Sequence, residues 1–387
     1  MTTMQQGLYD FSLTDEEEER AANLHENSII IDMLFQGPLS PNAIPEEVSA
    51  RLKEICEPYQ DDPMAYSKMP RKLISKMSAS GDLPQFKEEW YRSGITAGNR
   101  QLSLASLETI MASMAEIQNQ FDSNDWLIKA LSAEDIRSAK QNNLKAGIVT
   151  SQETIGIGKN LEMLEDLYDF GLRVLQLTYN TQNHVGAGCA EKSNAGISNF
   201  GITFIEKLNE LGILVDTGHC GKQTTLDACR YSKKPVIASH TGVEKIFSHM
   251  RCKSDQEIQT IAETGGVIGV FAMPWFVHKD PDHTTIDHVL DHIDYVVQLV
   301  GEDHVGIGTD WPMSDVTWSL VYFKENIAPR LGFAKGNGPS TETVTGLEKY
   351  SYFINFTRGL VKRGYSDESI RKMIGGNWLR VFEEVCG

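Results

Sequence analysis

Three residues that can bind a metal ion each stand where a short apolar run gives way to glycine and threonine. They are His219, His240 and Asp310. Runs of this kind, rich in β-branched residues, are typical of buried strands. Two imidazoles and one carboxylate delivered by three strand ends form a ligand set for an ion such as zinc. The alternative is that each residue only caps a loop or satisfies backbone groups, but the convergence of three favours a metal site.

The runs belong to a series of eight apolar segments that alternates with helical periodicity. The predicted strands are 28–33, 94–98, 146–150, 173–178, the runs that deliver His219 and His240, 266–271 and 305–309. Segments 161–170, 202–211, 224–231, 255–264 and 285–300 carry apolar residues at positions i, i+3 and i+4 and predict helices. Eight strands followed by helical material predict an α/β fold, a (β/α)8 TIM barrel, with a doubly wound open sheet as the alternative.

The N-terminal part adds a helix and an insertion to this series. Thr14, followed by acidic residues, predicts a capped helix that ends near Asn27. Segment 36–93 contains many prolines, but it is also rich in helix formers, so it predicts a helical insertion after the first strand. Such an insertion lies over the barrel mouth, where barrel active sites are found. With no interdomain linker in view, residues 1–387 are predicted to form a single domain.

Composition and charge limit which binding partners and which cellular compartment are expected for this chain. Lys and Arg total 36 against 53 Asp and Glu, a net charge of −17. This charge argues against binding to nucleic acid and to anionic membranes. We expect no export signal and no membrane span, because no basic start and no apolar run of about 20 residues is present. The six cysteines lack paired spacing, so free thiols and a cytoplasmic location are expected. Barrels of this kind often pair through outer helices, so a homodimer is one option, and the sequence leaves the oligomeric state open.

Six ordered sequence blocks resemble the renal (membrane) dipeptidase family of zinc peptidases, which belongs to the amidohydrolase-type barrels. The likeness extends from about Ile29 to Phe382, with its blocks at 171–178, 199–201, 208–216, 235–240, 305–310 and 377–382. The resemblance implies a barrel, hydrolysis of a dipeptide and two zinc ions that share a bridging glutamate. It indicates homology more strongly than activity.

When the family's metal ligands are carried over position by position, the resemblance implies that one ion keeps both of its histidines and the other keeps only one of its ligands. His219 and His240 correspond to the histidine pair of one ion, and Asp310 to the last-strand aspartate of the other. Leu34 and Gln36, however, stand where the family has a histidine and an aspartate on the first strand. Leucine cannot coordinate a metal, and a glutamine carbonyl is an uncharged ligand. Two dications about 3.5 Å apart would therefore lack compensating charge.

The bridging glutamate of the family falls on Gln152, with Glu153 beside it. Glu153 could restore the bridge only through a register slip or a bulge, because neighbouring strand residues face opposite sides. One zinc ion is therefore predicted rather than two, and a site without metal stays open. The predicted ligands are His219, His240, Asp310 and Gln152.

Several polar residues around this site are predicted to contact the substrate. The resemblance implies that Arg251 grips a substrate carboxylate, a task that suits the guanidinium fork; a salt bridge with Asp255 is the alternative. Tyr179 replaces a family histidine and could donate a hydrogen bond, or it could be a stacked core residue. Asn180 and Gln36 complete the predicted substrate-binding set.

The predicted function is that of a dipeptidase-like metallohydrolase acting on a small amide or dipeptide-like substrate. Asp310, as ligand and proton acceptor, Arg251 and Tyr179 are the predicted catalytic residues. The alternative is a non-hydrolytic enzyme or a protein that binds a small metabolite on the same scaffold, since three family ligands are lost. Retention of both histidines and Asp310 favours hydrolysis.

Overall fold

Eight parallel strands close into a barrel in the computed structural model, which describes residues 8–41, 43–312, 316–326 and 343–387. The strands of the described residues are β1 (Ile31–Asp32), β2 (Ala97–Gln101), β3 (Leu127–Lys129), β4 (Lys145–Ser151), β5 (Leu172–Gln176), β6 (Leu214–Asp216), β7 (Val236–Val243), β8 (Cys252–Lys253), β9 (Ile268–Val270) and β10 (Val305–Ile307). The barrel runs β1-β2-β4-β5-β6-β7-β9-β10 and closes through pairing of β10 with β1, while β3 and β8 extend β4 and β7. The predicted (β/α)8 barrel is confirmed, and the open sheet is excluded.

Helices surround the barrel in the alternating order that the sequence predicts. Those of the described residues are α1 (Asp15–Asn27), α2 (Glu46–Cys56), α3 (Pro63–Ser80), α4 (Gln85–Arg92), α5 (Leu107–Ser123), α6 (Ala133–Gln141), α7 (Glu162–Phe170), α8 (Asn199–Leu211), α9 (Lys222–Tyr231), α10 (Asp255–Glu263), α11 (Pro274–Val277), α12 (Ile286–Val300), α13 (Thr317–Asn326), α14 (Ile354–Lys362), α15 (Asp367–Arg371) and α16 (Asn377–Cys386). A capping box between Thr14 and Glu17 begins α1 and satisfies its first amides, as predicted.

Two of the strands begin later than predicted, because the residue at each predicted start has another role. The second strand, predicted at 94–98, is observed at Ala97–Gln101. Gly94 has a left-handed φ of +73° and turns the chain out of α4, so the ladder begins only where Ala97 pairs with Ile31. The first strand is short because its predicted start, Ser28, instead bonds the Leu24 carbonyl of α1 through its hydroxyl at 2.6 Å.

The predicted insertion is helical and reaches the barrel mouth. Helices α2, α3 and α4 lie between β1 and β2, and α3 packs against α5 and α13. From α3, Arg71 donates to the Gln36 side-chain oxygen at 2.7 Å and to the Pro312 carbonyl at 2.9 Å. These two partners follow β1 and β10, so the insertion contacts the C-terminal ends of both strands.

Burial of the strands on both faces explains why their sequences are unbroken apolar runs. Every residue of β7 is buried, as parallel strands covered on both faces require. Each large apolar side chain removed from water in such a core contributes about 1.5–3 kcal/mol. Within the described ranges, no helix combines the length and apolar character needed to span a membrane.

Candidate active site

The C-terminal ends of the strands bring three predicted ligands together. His219 follows β6, His240 lies within β7, and Asp310 follows β10. The two imidazole rings are 4.8 Å apart between centroids, and His240 Nε2 is 4.0 Å from Asp310 Oδ2. All three side chains are buried. The arrangement places two ring nitrogens and one carboxylate around a common point below the barrel mouth.

Asn180 determines which nitrogen of His219 carries the proton. His219 Nδ1 lies 2.6 Å from the Asn180 side-chain oxygen, which can only accept a hydrogen bond. Nδ1 is therefore protonated and Nε2 carries a lone pair. The Tyr179 ring stacks on the His219 imidazole, with 4.1 Å between the ring centroids and 21° between the ring planes. The predicted stacking of Tyr179 is thus observed, and it fixes the plane of a candidate ligand.

Ser239 and Asp216 fix the tautomer of His240 in the same way. The Ser239 hydroxyl donates to Asp216 Oδ2 at 2.5 Å and lies 2.7 Å from His240 Nδ1. Since the hydroxyl has one proton, which it gives to the carboxylate, Nδ1 donates to Ser239 and Nε2 keeps its lone pair. The ladder between β7 and β9 shifts register between Ala238 and Thr241, and bulges of this kind re-aim side chains near active sites.

The electrostatics of the pocket favour neutral imidazoles. Burial, followed by the nearby Arg251 charge, holds the pKa of both His219 and His240 well below the usual range. Burial raises the pKa of Asp310 to about 6, against the lowering effects of Arg251 and of the Gln36 hydrogen bond. Within the described part of the chain, neither histidine Nε2 has a hydrogen-bond partner. An unsatisfied buried polar atom costs about 1–3 kcal/mol, a cost that a bound cation would remove.

This cluster has the ligand types of a metal site but not its spacing. Among the residues that the structure describes, no three His, Cys, Asp or Glu side chains already have the spacing of a metal site. The 4.0 Å between His240 Nε2 and Asp310 Oδ2 exceeds the roughly 3.3 Å expected for two ligands of tetrahedral zinc. The donors nevertheless match the mixed nitrogen and oxygen set that zinc accepts.

At the two positions where the resemblance places first-strand ligands, the side chains are not ionisable. Leu34 is buried, and its carbonyl accepts from the Asp310 amide at 3.1 Å. Gln36 donates to Asp310 Oδ1 at 2.8 Å and accepts from Arg71 at 2.7 Å. Gln36, predicted to bind substrate, therefore lies between a carboxylate and a guanidinium.

The end of β4 presents the two residues at the predicted bridging position. The Gln152 main-chain carbonyl accepts from Gln176 Nε2 at 2.5 Å, and the Glu153 charge adds to the effect of burial, which raises the pKa of Tyr179. The ladder between β4 and β5 shifts register just before this point, between Val149 and Thr150. Coordination by Gln152 stays a prediction.

Arg251 lies in the pocket with two unused donors. It is 1% exposed, and its Nη1 donates to the Gly218 carbonyl. In the described residues, its Nε and Nη2 have no hydrogen-bond partner. The alternative of a salt bridge to Asp255 is not observed, because Asp255 accepts from the Tyr295 hydroxyl at 3.0 Å. A buried guanidinium with two unused nitrogens is suited to a carboxylate group.

Sequence reasoning missed three supporting residues. Asp216 precedes His219 by three positions at a strand end, and Ser239 is adjacent to His240, so proximity in sequence could have identified both. Arg71 had no such signal, because its partners are 35 and 241 positions away.

A TIM barrel with two histidines and an aspartate at its C-terminal end defines a candidate metal-dependent hydrolase. The sequence model of the membrane dipeptidase family (peptidase family M19) matches residues 19–320 and 331–386. The chain belongs to this family, which confirms the resemblance found in the six sequence blocks.

Individual relatives agree with this assignment. The chain is 26% identical over 264 residues to dipeptidase tcpJ of Claviceps purpurea (strain 20.1), covering 68% of this chain and 56% of tcpJ. It is 31% identical over 228 residues to dipeptidase verJ of Clonostachys rogersoniana, covering 58% of this chain and 51% of verJ. The chain thus spans just over half the length of these curated relatives. An amidohydrolase from Pseudomonas aeruginosa superposes with a TM-score of 0.74 and 28% identity, covering 94% of this chain and 98% of that chain.

Proposed function

We propose that this protein is a dipeptidase-like hydrolase that cleaves a small amide or dipeptide-like substrate with a single zinc ion. The observation that carries the proposal is the pair of buried, neutral imidazoles whose Nε2 lone pairs have no partner in the described part of the chain. Asp310 supplies the adjacent carboxylate. The names of the fungal relatives, both dipeptidases, support the substrate class.

The chain's own residues would hold the ion and orient the substrate. His219, His240 and Asp310 would be the ligands, with Gln152 as the proposed fourth. When bound, zinc supplies a Lewis acid that polarises a carbonyl and makes water more acidic. The unused Nε and Nη2 of Arg251 would bind the substrate's carboxylate, which fixes the amide relative to the histidine pair.

Asp310 and Tyr179 would handle protons and developing charge. Asp310, beside His240, is the proposed proton acceptor, which would take a proton from the attacking water and return it to the leaving amine. Burial raises the pKa of Tyr179, which keeps its hydroxyl protonated as a hydrogen-bond donor for a negatively charged oxygen. Asn180 would act through His219 by fixing its tautomer.

The cellular setting proposed for this activity is the cytoplasm. All six cysteines are free thiols, and a reducing compartment maintains that state.

A second candidate, a non-hydrolytic enzyme or a protein that binds a small metabolite, is favoured by the first-strand side of the pocket. There the buried Leu34 and the engaged Gln36 provide no charged ligand. This candidate requires no metal and uses Arg251 to bind an anionic metabolite.

Metal content separates the two candidates. Zinc and manganese per chain are measured by mass spectrometry after purification without chelators and again after reconstitution, together with hydrolysis of a dipeptide panel. We expect about one equivalent and metal-dependent hydrolysis. Two equivalents would contradict the single-ion site. No metal in either preparation would reject the metallohydrolase and support the second candidate.

A further inference from the structure

A chain of hydrogen bonds crosses from the barrel into the helical insertion. Asp310 Oδ1 accepts from Gln36 Nε2 at 2.8 Å, and Gln36 Oε1 accepts from Arg71 Nη1 at 2.7 Å. A guanidinium has only donors, so it can be paired only with the oxygen end of the amide. Arg71 therefore determines that Gln36 presents its NH2 group, and not its oxygen, to the aspartate.

The same guanidinium also contacts the segment that carries Asp310. Arg71 Nη2 donates to the Pro312 carbonyl at 2.9 Å, two residues beyond Asp310. With one nitrogen on Gln36 and the other on this carbonyl, the planar fork links the segments that follow β1 and β10. A lysine, with a single ammonium, could not reproduce this geometry.

Asp310 depends on such external support. Its φ of +54° lies in the left-handed region, which non-glycine residues rarely adopt, and its amide is held by the Leu34 carbonyl at 3.1 Å. The carboxylate is anchored at Oδ1 by Gln36, which leaves Oδ2 directed toward His240 at 4.0 Å. One oxygen is thus occupied and the other is available to a ligand.

We propose that Arg71 is a positioning residue that acts through Gln36 to hold Asp310 Oδ1, so that only Oδ2 is offered to a cation beside His240. This inference rests on the proposed single-ion hydrolase. It makes the helical insertion part of the metal centre. It also explains a limit of one ion, because the opposite side of the carboxylate already faces an amide polarised by a positive charge.

The first test is zinc titration of the metal-free full-length protein. Arg71→Ala is expected to weaken zinc affinity roughly 10–100-fold, the usual effect of losing a group that supports a metal ligand. Arg71→Lys should recover only part of this loss. The double variant Arg71→Ala/Gln36→Ala should bind zinc no more weakly than the single variant with the lower affinity, because both residues act on Asp310 through the same hydrogen bonds. The matched control is Lys72→Ala, which removes an exposed charge from the next position of α3.

The second test needs no metal. Arg71→Ala should lower the melting temperature of the metal-free protein by roughly 2–4 °C, and by less than half as much when Asp310 is already replaced by Ala, which removes the acceptor of the Gln36 hydrogen bond. Equal shifts in both backgrounds, or an unchanged zinc affinity in Arg71→Ala, would overturn the inference. If the wild-type protein binds no zinc, the proposed function fails. The melting cycle then still decides whether Arg71 holds Asp310.

Discussion

The two sides of the barrel mouth differ in charge and in the polar groups that they present to the pocket. On the side of β6 and β7, His219 and His240 are neutral, buried and hydrogen-bonded only at Nδ1, so that two lone pairs point into the pocket. On the side of β1, Leu34 is apolar and Gln36 is uncharged, and a guanidinium lies behind them. The first side is arranged to receive a positive ion, and the second already contains one.

The supporting residues differ in sign accordingly. Asp216 acts through Ser239 on His240, so a carboxylate keeps an imidazole proton on Nδ1. Arg71 acts through Gln36 on Asp310, so a cation stabilises a carboxylate. Each relay passes through one neutral side chain that has its orientation fixed by the charge behind it. On the side of β1, a positive charge of the protein itself therefore lies behind the two uncharged residues.

Removal of a histidine should have the largest effect on this comparison. His240→Ala deletes one of two nitrogen donors, so zinc content should fall from about one equivalent to below a tenth, with at least a roughly 1,000-fold loss of hydrolysis. Metal analysis and dipeptide kinetics measure both. The matched control is His304→Ala, since His304 precedes β10 and bonds the Gly266 carbonyl at the other end of the barrel. Equal metal loss in the control would indicate unfolding instead.

Loss of Arg251 should affect substrate binding without affecting metal content. Arg251→Met removes the unused donors, and kcat/KM for a dipeptide should fall by about 100-fold, because a buried charge pair of this kind is worth about 2–5 kcal/mol. The internal control is the same dipeptide amidated at its C-terminus, for which the loss should be much smaller. An equal loss for both substrates would show that Arg251 does not read the carboxylate.

The histidine side could be predicted from sequence, whereas its counterpart could not. His219, His240 and Asp310 stand at the ends of apolar runs, and parallel strands bring such ends to the same face of a barrel, so local pattern alone located the cluster. The contact of Arg71 depends on how α3 packs over the mouth, which no periodicity specifies.

Strand bounds show the same division at smaller scale. The predicted run 94–98 is apolar enough for a strand, but the ladder begins at Ala97 because pairing with Ile31 and Ala146 sets the register. Helix bounds were closer, since a cap such as Thr14 is encoded within one turn, but the start predicted at 202 was late because Ser198 caps α8. Most helix bounds, which depend on local interactions, were therefore predicted closely, whereas strand bounds set by pairing with neighbouring strands were not.

The first-strand side should also respond to pH. Burial raises the pKa of Asp32 in β1 to about 7, although Thr309 and Leu34 donate to it. A raised folded-state pKa means that the folded protein binds the proton more tightly. Its contribution to stability is complete below the unfolded value of about 3.9 and is lost as pH rises through 7. Between pH 5 and pH 8 the loss should be about 3 kcal/mol.

Chemical denaturation of the metal-free protein at the two pH values measures this loss. Asp32→Asn should remove most of the difference, while Asp122→Asn, at an exposed position of α5, should leave it unchanged. Parallel pH dependence in the wild type and Asp32→Asn would show that Asp32 is ionised in the folded state across this range.

The smallest effect should come from the relay on the histidine side. Ser239→Ala removes the acceptor of His240 Nδ1 and leaves every candidate ligand in place, so zinc affinity should fall roughly 10–100-fold without a change in stoichiometry. The control is Ser28→Ala, another buried serine, which bonds the Leu24 carbonyl far from the pocket.

The tautomer of His240 distinguishes hydrogen bonding by Asp216 and Ser239 from simple packing, because packing alone would not determine which ring nitrogen carries the proton. With Ser239 present, the 15N spectrum of the metal-free protein should show His240 protonated at Nδ1. In Ser239→Ala a fraction should carry the proton on Nε2, where it blocks the metal. If the tautomer is unchanged while affinity falls, then Asp216 and Ser239 only pack beside the ring. The two sides of the mouth would then not be built on the same principle.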